Sequence, residues 1–209
     1  MKNNVRLAFA GIAVIAIAIA VAAFVLGDTV QVVIDPGHGG NDVGAEYEGR
    51  YEKDDNLALA LLVKEKLGDM GVDAVLTRDD DSYISLEKRC RIANRKKALL
   101  FVSLHRNSAD GAKGVEIWVS GSKPSADTQL ANDILDGLED AGISENRGVK
   151  YGYAQGSGNY YVNSHTFMPS CLVELGFINS ETDNDLFDSN LEAYAKAIAE
   201  AICKSIPKE

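Results

Sequence analysis

The sequence has few cysteines, few histidines and too little positive charge to balance its acids. Its three cysteines, Cys90, Cys171 and Cys203, have no CxxC spacing, so no cysteine-built metal or redox motif is available. One disulfide plus a free thiol and three separate small hydrophobes both remain open. Lys and Arg total 21 against 31 acids, a formal charge of −10. The first 27 residues carry Lys2 and Arg6 and no acid, so the remainder is more negative still. That balance excludes a phosphate-backbone partner, which needs clustered Lys and Arg to displace counterions; no nucleic acid is expected. No internal repeat or Ser/Pro-rich linker divides the chain, and at 209 residues two compact domains would be a tight fit. HExxH is missing too, which removes the compact helical zinc motif.

Long apolar runs are absent with one exception. MKNNVR is followed by an uncharged stretch from Leu7 to Leu26. At about 1.5 Å per residue it spans the roughly 30 Å hydrocarbon core, and the basic residues before it keep the N-terminus inside. A cleaved signal peptide is the alternative, with Ala20, Ala22 and Ala23 near a processing site. Both readings divide the chain into an N-terminal segment, 1–27, and an extracytoplasmic domain, 28–209, membrane-anchored or released. Only about three residues separate Leu26 from the first strand, so an anchored domain would sit close to the membrane.

From Thr29 onward, β-branched apolar runs alternate with helix-period stretches, the pattern of an α/β domain. Strands are predicted at Val30–Asp35, Val72–Thr77, Leu99–Leu104, Val115–Val119 and Cys171–Leu175, with a weaker one at Val149–Tyr153. DDNLALALLVKEKLGDMG predicts a helix with Leu57, Leu61, Leu62 and Leu67 near one face. SLEKRCRIANRKKA, residues 85–98, has a Ser-then-Glu start and a basic last turn. Ser125–Ala141 and Leu191–Ile206 complete the helices. The glycine- and tyrosine-rich stretch YGYAQGSGNYYVNSH, residues 151–165, reads as a loop suited to carry function.

Two of the three histidines occupy equivalent places: VVIDPGHGG puts His38 just past one strand, and LLFVSLHRN puts His105 just past another. Ligand sites form beyond the carboxyl ends of parallel strands, so the two imidazoles can converge, an arrangement that suits a metal. Zinc bound by two imidazoles needs a third protein ligand and an open position. Glu52 in YEKDDN is favoured, but Asp42, Glu46, Glu48, Asp54 and Asp55 are rivals that spacing alone does not remove. Glu174 lies inside the apolar run of SCLVELGFINS, where an ionised carboxylate is costly unless paired or used. It is either a general base and acid with an elevated pKa or an edge-strand residue facing solvent. Asp35 either supports a ligand histidine or caps the loop.

DPGHGGNDVGA, EKDDNLALALLVKEKL, LTRDDDSYISLEKRCRIANRKKALLFVSLHRNSA and MPSCLVELGFINS, in that order and spacing, resemble the zinc-dependent N-acetylmuramoyl-L-alanine amidases of the third amidase family. The resemblance implies a mixed sheet of about six strands flanked by helices. It also implies a cell-wall hydrolase acting on peptidoglycan, cleaving the amide between N-acetylmuramic acid and L-alanine. By the family pattern His38, Glu52 and His105 hold one zinc ion and Glu174 is catalytic. Family members often carry a basic residue before the proline of MP where this chain reads YYVNSHTFMP, so substrate contacts there differ; Arg106, Asn107 and His165 are weak candidates. Only RNSADGAKG separates His105 from the next strand, leaving no room for the plugging helix of some relatives. The alternatives are another zinc peptidase or deacetylase, and a non-catalytic wall-binding or regulatory module.

Overall fold

The apolar run VVIDP forms β1 (Val32–Pro36), buried along its whole length and flanked on both sides by other strands. The computed structural model describes residues 30–122 and 124–207. Leu7–Leu26 lies outside them, and among the described residues no helix is long and apolar enough to cross a membrane. After β1 come a small hairpin, β2 (Glu46–Tyr47) and β3 (Arg50–Tyr51), then α1 (Glu52–Asp69), β4 (Ala74–Leu76) and α2 (Leu86–Lys96). β5 (Leu100–Asn107), β6 (Val115–Val119), α3 (Ser125–Ala141) and β7 (Asn146–Tyr151) follow. The chain then forms α4 (Tyr161–His165), β8 (Ser170–Phe177) and α5 (Glu181–Ser205).

Six strands form one mixed sheet in the order β4-β1-β5-β8-β6-β7. The first four are mutually parallel, β6 runs antiparallel to β8, and β7 follows β6. Alternation along the strands sorts the core into two layers. Ile34, Val102, Leu104, Ile117 and Val173 pack against α1, α3 and α5. Val33, Phe101 and Leu172 face the other way, against α2 and α4.

The elements depart from the sequence pattern in several places. α1 buries Leu59, Ala60, Val63 and Leu67, whereas Leu61 is exposed; apolar residues ring this helix, so spacing did not identify the inward face. α5 begins ten residues before Leu191, at Glu181, because Ser180 caps it by accepting from Asp183 N, and its polar first turns hide the start. The hairpin β2–β3 was not foreseen: two-residue strands carry no periodicity. α4 interrupts the expected loop. α2 matches, with Ser85 Oγ accepting from Lys88 N.

Candidate active site

At the carboxyl ends of the parallel strands, the layer facing α2 and α4 turns polar. Following the alternation from Val33, Phe101 and Leu172 places Asp35, Ser103, His105 and Glu174 on that side, and Glu116 joins them from β6. His105 is in register with Glu174, and Glu174 with Glu116. These three side chains therefore form one row across β5, β8 and β6. His105 belongs to β5 itself rather than lying just past it, because β5 continues to Asn107.

Glu52 completes a cluster with the two histidines. It opens α1, and its Oε1 lies 2.8 Å from His105 Nδ1 and 3.2 Å from His38 Nε2. Ala45 N and Arg106 N also donate to the carboxylate, at 2.8 and 3.1 Å. His38 Nδ1 bonds Asp42 Oδ1 at 2.9 Å, which aims Nε2 at the cluster. Asp42, not Asp35, thus supports a histidine. The rivals Glu46, Glu48 and Asp54 point to solvent, and Asp55 is taken by Arg50 and Arg106.

Two glycines make the crowding possible. A Cβ on Gly37 would fall on the His105 ring, and one on Gly44 would come within 2.6 Å of Glu52 Oε2 and 2.7 Å of His38 Cδ2. His38 itself adopts φ 61, a left-handed conformation unfavourable by about 1–2 kcal/mol for a residue with a Cβ. Two buried arginines that the sequence reading missed hold it there. Arg89 donates to Asp35 Oδ1 at 2.8 Å, Pro36 O at 2.7 Å and His38 O at 2.6 Å. Arg78 donates to Pro36 O at 3.1 Å and Gly37 O at 2.8 Å. Asp35 anchors this framework, accepting from Arg89, Thr77 and Ser103.

The two buried glutamates have opposite electrostatics. Burial raises the pKa of Glu52, but hydrogen bonds and charge from His105 and His38 outweigh it and hold the carboxyl well below the usual range. Glu174 is pushed well above that range, first by burial and then by repulsion from Glu52 and Glu116. Its Oε2 is buried with no hydrogen-bond partner among the described residues. Burial lowers the His38 pKa less than its bonds to Glu52 and Asp42 raise it. Glu116, also missed, accepts from Asn107, Trp118 and Arg147. An acid inside the apolar run VEIWV was the same signal that singled out Glu174.

His38, Glu52, His105 and Glu174 line a cleft of about 640 Å³. Tyr153 and Tyr160, from the glycine-rich stretch, meet edge to face at 4.8 Å on one wall, and Tyr83 and Leu86 stand exposed at the rim. The loop 108–114 between β5 and β6 is short and leaves the cleft open. Of the weaker candidates, Asn107 lines the cleft but is bound to Glu116. The Arg106 guanidinium points to the opposite layer, onto Asp55, Asn184 and the Phe187 ring. His165 is not among the cleft-lining residues; it stacks on Tyr161 with ring centroids 3.8 Å apart.

A family model described as N-acetylmuramoyl-L-alanine amidase matches residues 32–208. The chain belongs to this amidase family. It is 36% identical over 162 residues to the N-acetylmuramoyl-L-alanine amidase LytC of Bacillus subtilis, a match covering 76% of this chain and 31% of LytC. Among solved structures, amidase AmiC2 of Nostoc punctiforme superposes with a TM-score of 0.72 at 38% identity, covering 84% of this chain and 96% of AmiC2. The catalytic domain of CwlV from Bacillus (Paenibacillus) polymyxa gives 0.74 at 35%, covering 83% and 96%. Thus the amidase domain accounts for nearly all of those two solved chains but about a third of LytC.

The amidase cluster fits a metal ion. One ligand atom each from His38, Glu52 and His105 lies within 4.8 Å of the others. Two imidazoles and one carboxylate form a three-ligand set known from catalytic zinc sites, which leaves a position open. The unpartnered Glu174 oxygen lines the same cleft.

Proposed function

We propose that this chain hydrolyses the amide between the lactyl group of N-acetylmuramic acid and the L-alanine of the peptidoglycan stem peptide. The single observation that carries the reading is the cross-strand row: Glu174, buried and unpartnered, sits in register with His105 of the three-residue cluster. His38, Glu52 and His105 would hold one zinc ion. Its Lewis acidity would polarise the amide carbonyl and make water acidic enough to attack near neutral pH. The chain's own residues do the rest. Glu174 Oε2 accepts the proton of the attacking water and passes it to the departing alanine nitrogen, a transfer suited to a carboxyl of raised pKa. Asp42 orients His38, and Arg89 with Arg78 holds the loop that carries it. The tyrosine wall offers flat apolar surface to the substrate.

The reaction places the domain outside the cytoplasm, with peptidoglycan as its partner. The uncharged run Leu7–Leu26, with basic residues before it, would export the domain at 28–209, either holding it on the membrane as an anchor or being removed as a signal segment. Incubation with purified peptidoglycan tests the chemistry: new L-alanine amino termini are expected without new reducing sugars. Release of acetate instead would assign the cleft to a deacetylase, and no product at full zinc content would make it a binding module.

A further inference from the structure

One corner of this acidic protein is basic, and it lies at the end of the sheet away from the cleft. α2 carries Arg91 and Arg95 one turn apart on its outer side, and Lys97 caps its end. All three are exposed; Arg91 interacts with the charge of Glu87 one turn earlier, and Arg95 and Lys97 make no ion pair or side-chain hydrogen bond among the described residues. The acid of this helix, Glu87, lies in its first turn, one turn before Arg91, and lines the same surface groove as Arg91, Arg95 and Phe167, so the corner carries three cations against one acid of α2. Beside the basic residues stands Phe167, 87% exposed, the most exposed large hydrophobic side chain described. Asn94 fixes it there by accepting from Phe167 N at 3.0 Å. Leu99, 39% exposed, follows Lys97 closely at the start of β5.

The chain enters at this corner. Val30 N bonds Lys96 O at 3.4 Å, at the last turn of α2. β1, β5 and β8 all begin on this edge, with Val32 in register with Leu100 and Phe101 with Ser170. From Leu26 to Val30 the backbone spans at most about 14 Å. The end of the uncharged run is therefore tethered within a short reach of Arg91, Arg95, Lys97, Leu99 and Phe167. The catalytic row lies at the other end: from Leu100 to His105, β5 rises roughly 17 Å.

We propose that this corner is a membrane-contact face that rests on an anionic bilayer beside the anchor and turns the cleft away from the lipid, toward the wall. The inference rests on the reading that Leu7–Leu26 stays in the membrane. Charge complementarity selects the sign of the surface. The exposed phenyl ring and leucine among the cations select a bilayer over a soluble anionic polymer, because an apolar side chain gains by insertion at the lipid interface.

The test uses the domain from Asp28 onward and, separately, the full chain. Isolation of the domain is justified because both cores lie within the described residues and the CwlV catalytic domain has been solved alone. Phosphatidylcholine vesicles with and without phosphatidylglycerol are the probes. The domain is expected to sediment with the anionic vesicles only, and less as salt rises. Neutralising Arg91, Arg95 and Lys97 to Gln should weaken partitioning about 100-fold, since each cation near an anionic surface is worth about fivefold. Phe167→Ser should weaken it further at high salt, where screening leaves the apolar contact. Hydrolysis of soluble muropeptides by these variants should match wild type, which reports that they fold.

Equal sedimentation with both vesicle types overturns the proposal. So does unchanged binding by the triple variant, or capture by an anionic wall polymer in preference to vesicles. Flotation of the full chain on phosphatidylcholine vesicles separates the two readings. Flotation with no affinity of the domain for phosphatidylglycerol leaves the anchor and overturns the contact face. Domain binding together with a mature chain that begins after Leu26 supports the face and overturns the anchor.

Discussion

The two buried glutamates of the cleft come from regions built in different ways, and the contrast supports the roles proposed for them. Glu52 opens a helix and is surrounded by donors: two backbone N–H groups, two imidazoles and the Asn56 amide. Glu174 sits mid-strand between β5 and β6, facing another carboxylate across the register and leaving Oε2 without a partner. The same side chain is held ionised in one place and pushed toward its protonated form in the other. A carboxylate ligand must be ionised, and a proton carrier must hold its proton within reach of neutral pH. These surroundings support the proposed roles, Glu52 as ligand and Glu174 as acid and base.

The sharpest way to break that distinction is Glu174→Gln. Removing the proton carrier should lower kcat by about 10²–10⁴-fold while zinc content, read by metal analysis, stays at one ion per chain. The amide keeps the volume and removes an uncompensated buried carboxyl, so thermal stability should hold or rise. If hydrolysis of muropeptides proceeds at the wild-type rate, Glu174 is not the proton carrier.

Loosening the ligand side should have a smaller effect. Asp42→Ala leaves His38, Glu52 and His105 in place but frees the His38 ring. A partner of this kind is typically worth 10–100-fold in metal affinity, which competition with a chelator measures. Unchanged affinity would show that the His38 loop, clamped by Arg89 and Arg78, orients the ring unaided.

Much of this contrast was legible in the sequence, for identifiable reasons. His38 follows the apolar run that opens β1, and His105 lies near the end of the largely apolar β5, so their places at the carboxyl end of the sheet followed from pattern. Glu174 was conspicuous because a glutamate in SCLVELGF has no cheap burial. Glu52 was not separable from Asp42 or Asp55 by spacing: Asp55 shares its helix turn, Asp42 lies in the loop that carries His38, and only the fold shows that Asp55 is held by Arg50 and Arg106 while Asp42 grips His38 from behind. Arg78 and Arg89 were invisible because their work is done on backbone carbonyls some forty and fifty residues away, a relation no local pattern encodes. Strand order, with β8 inserted between β5 and β6, was equally hidden, and it alone brings Glu174 beside His105.

Glu116 offers a finer test of why the two glutamates differ. It faces Glu174 across the β6–β8 pair and is held by Arg147 at 2.9 Å. Its charge adds to the burial that raises the Glu174 pKa. With Glu116→Gln that repulsion is lost, the Glu174 pKa falls, and its base form persists to lower pH. The acid limb of kcat/KM against pH should therefore move to lower pH. A limb that stays in place would leave burial and Glu52 as the causes of the shift.

The smallest effect is expected outside the contrast altogether, at His165. It lies before the strand that carries Glu174, in a segment where family members often place a basic residue. In this chain its ring is stacked flat on Tyr161 and its Nδ1 lies 2.9 Å from Tyr161 O. The cleft is walled instead by Tyr153 and Tyr160. His165→Ala should then leave both kcat and KM for muropeptides unchanged and lower stability by about 0.5 kcal/mol, the low end for an aromatic pair. A rise in KM with kcat preserved would mean that substrate extends past the tyrosine wall onto α4, and that the binding surface is wider than the cleft.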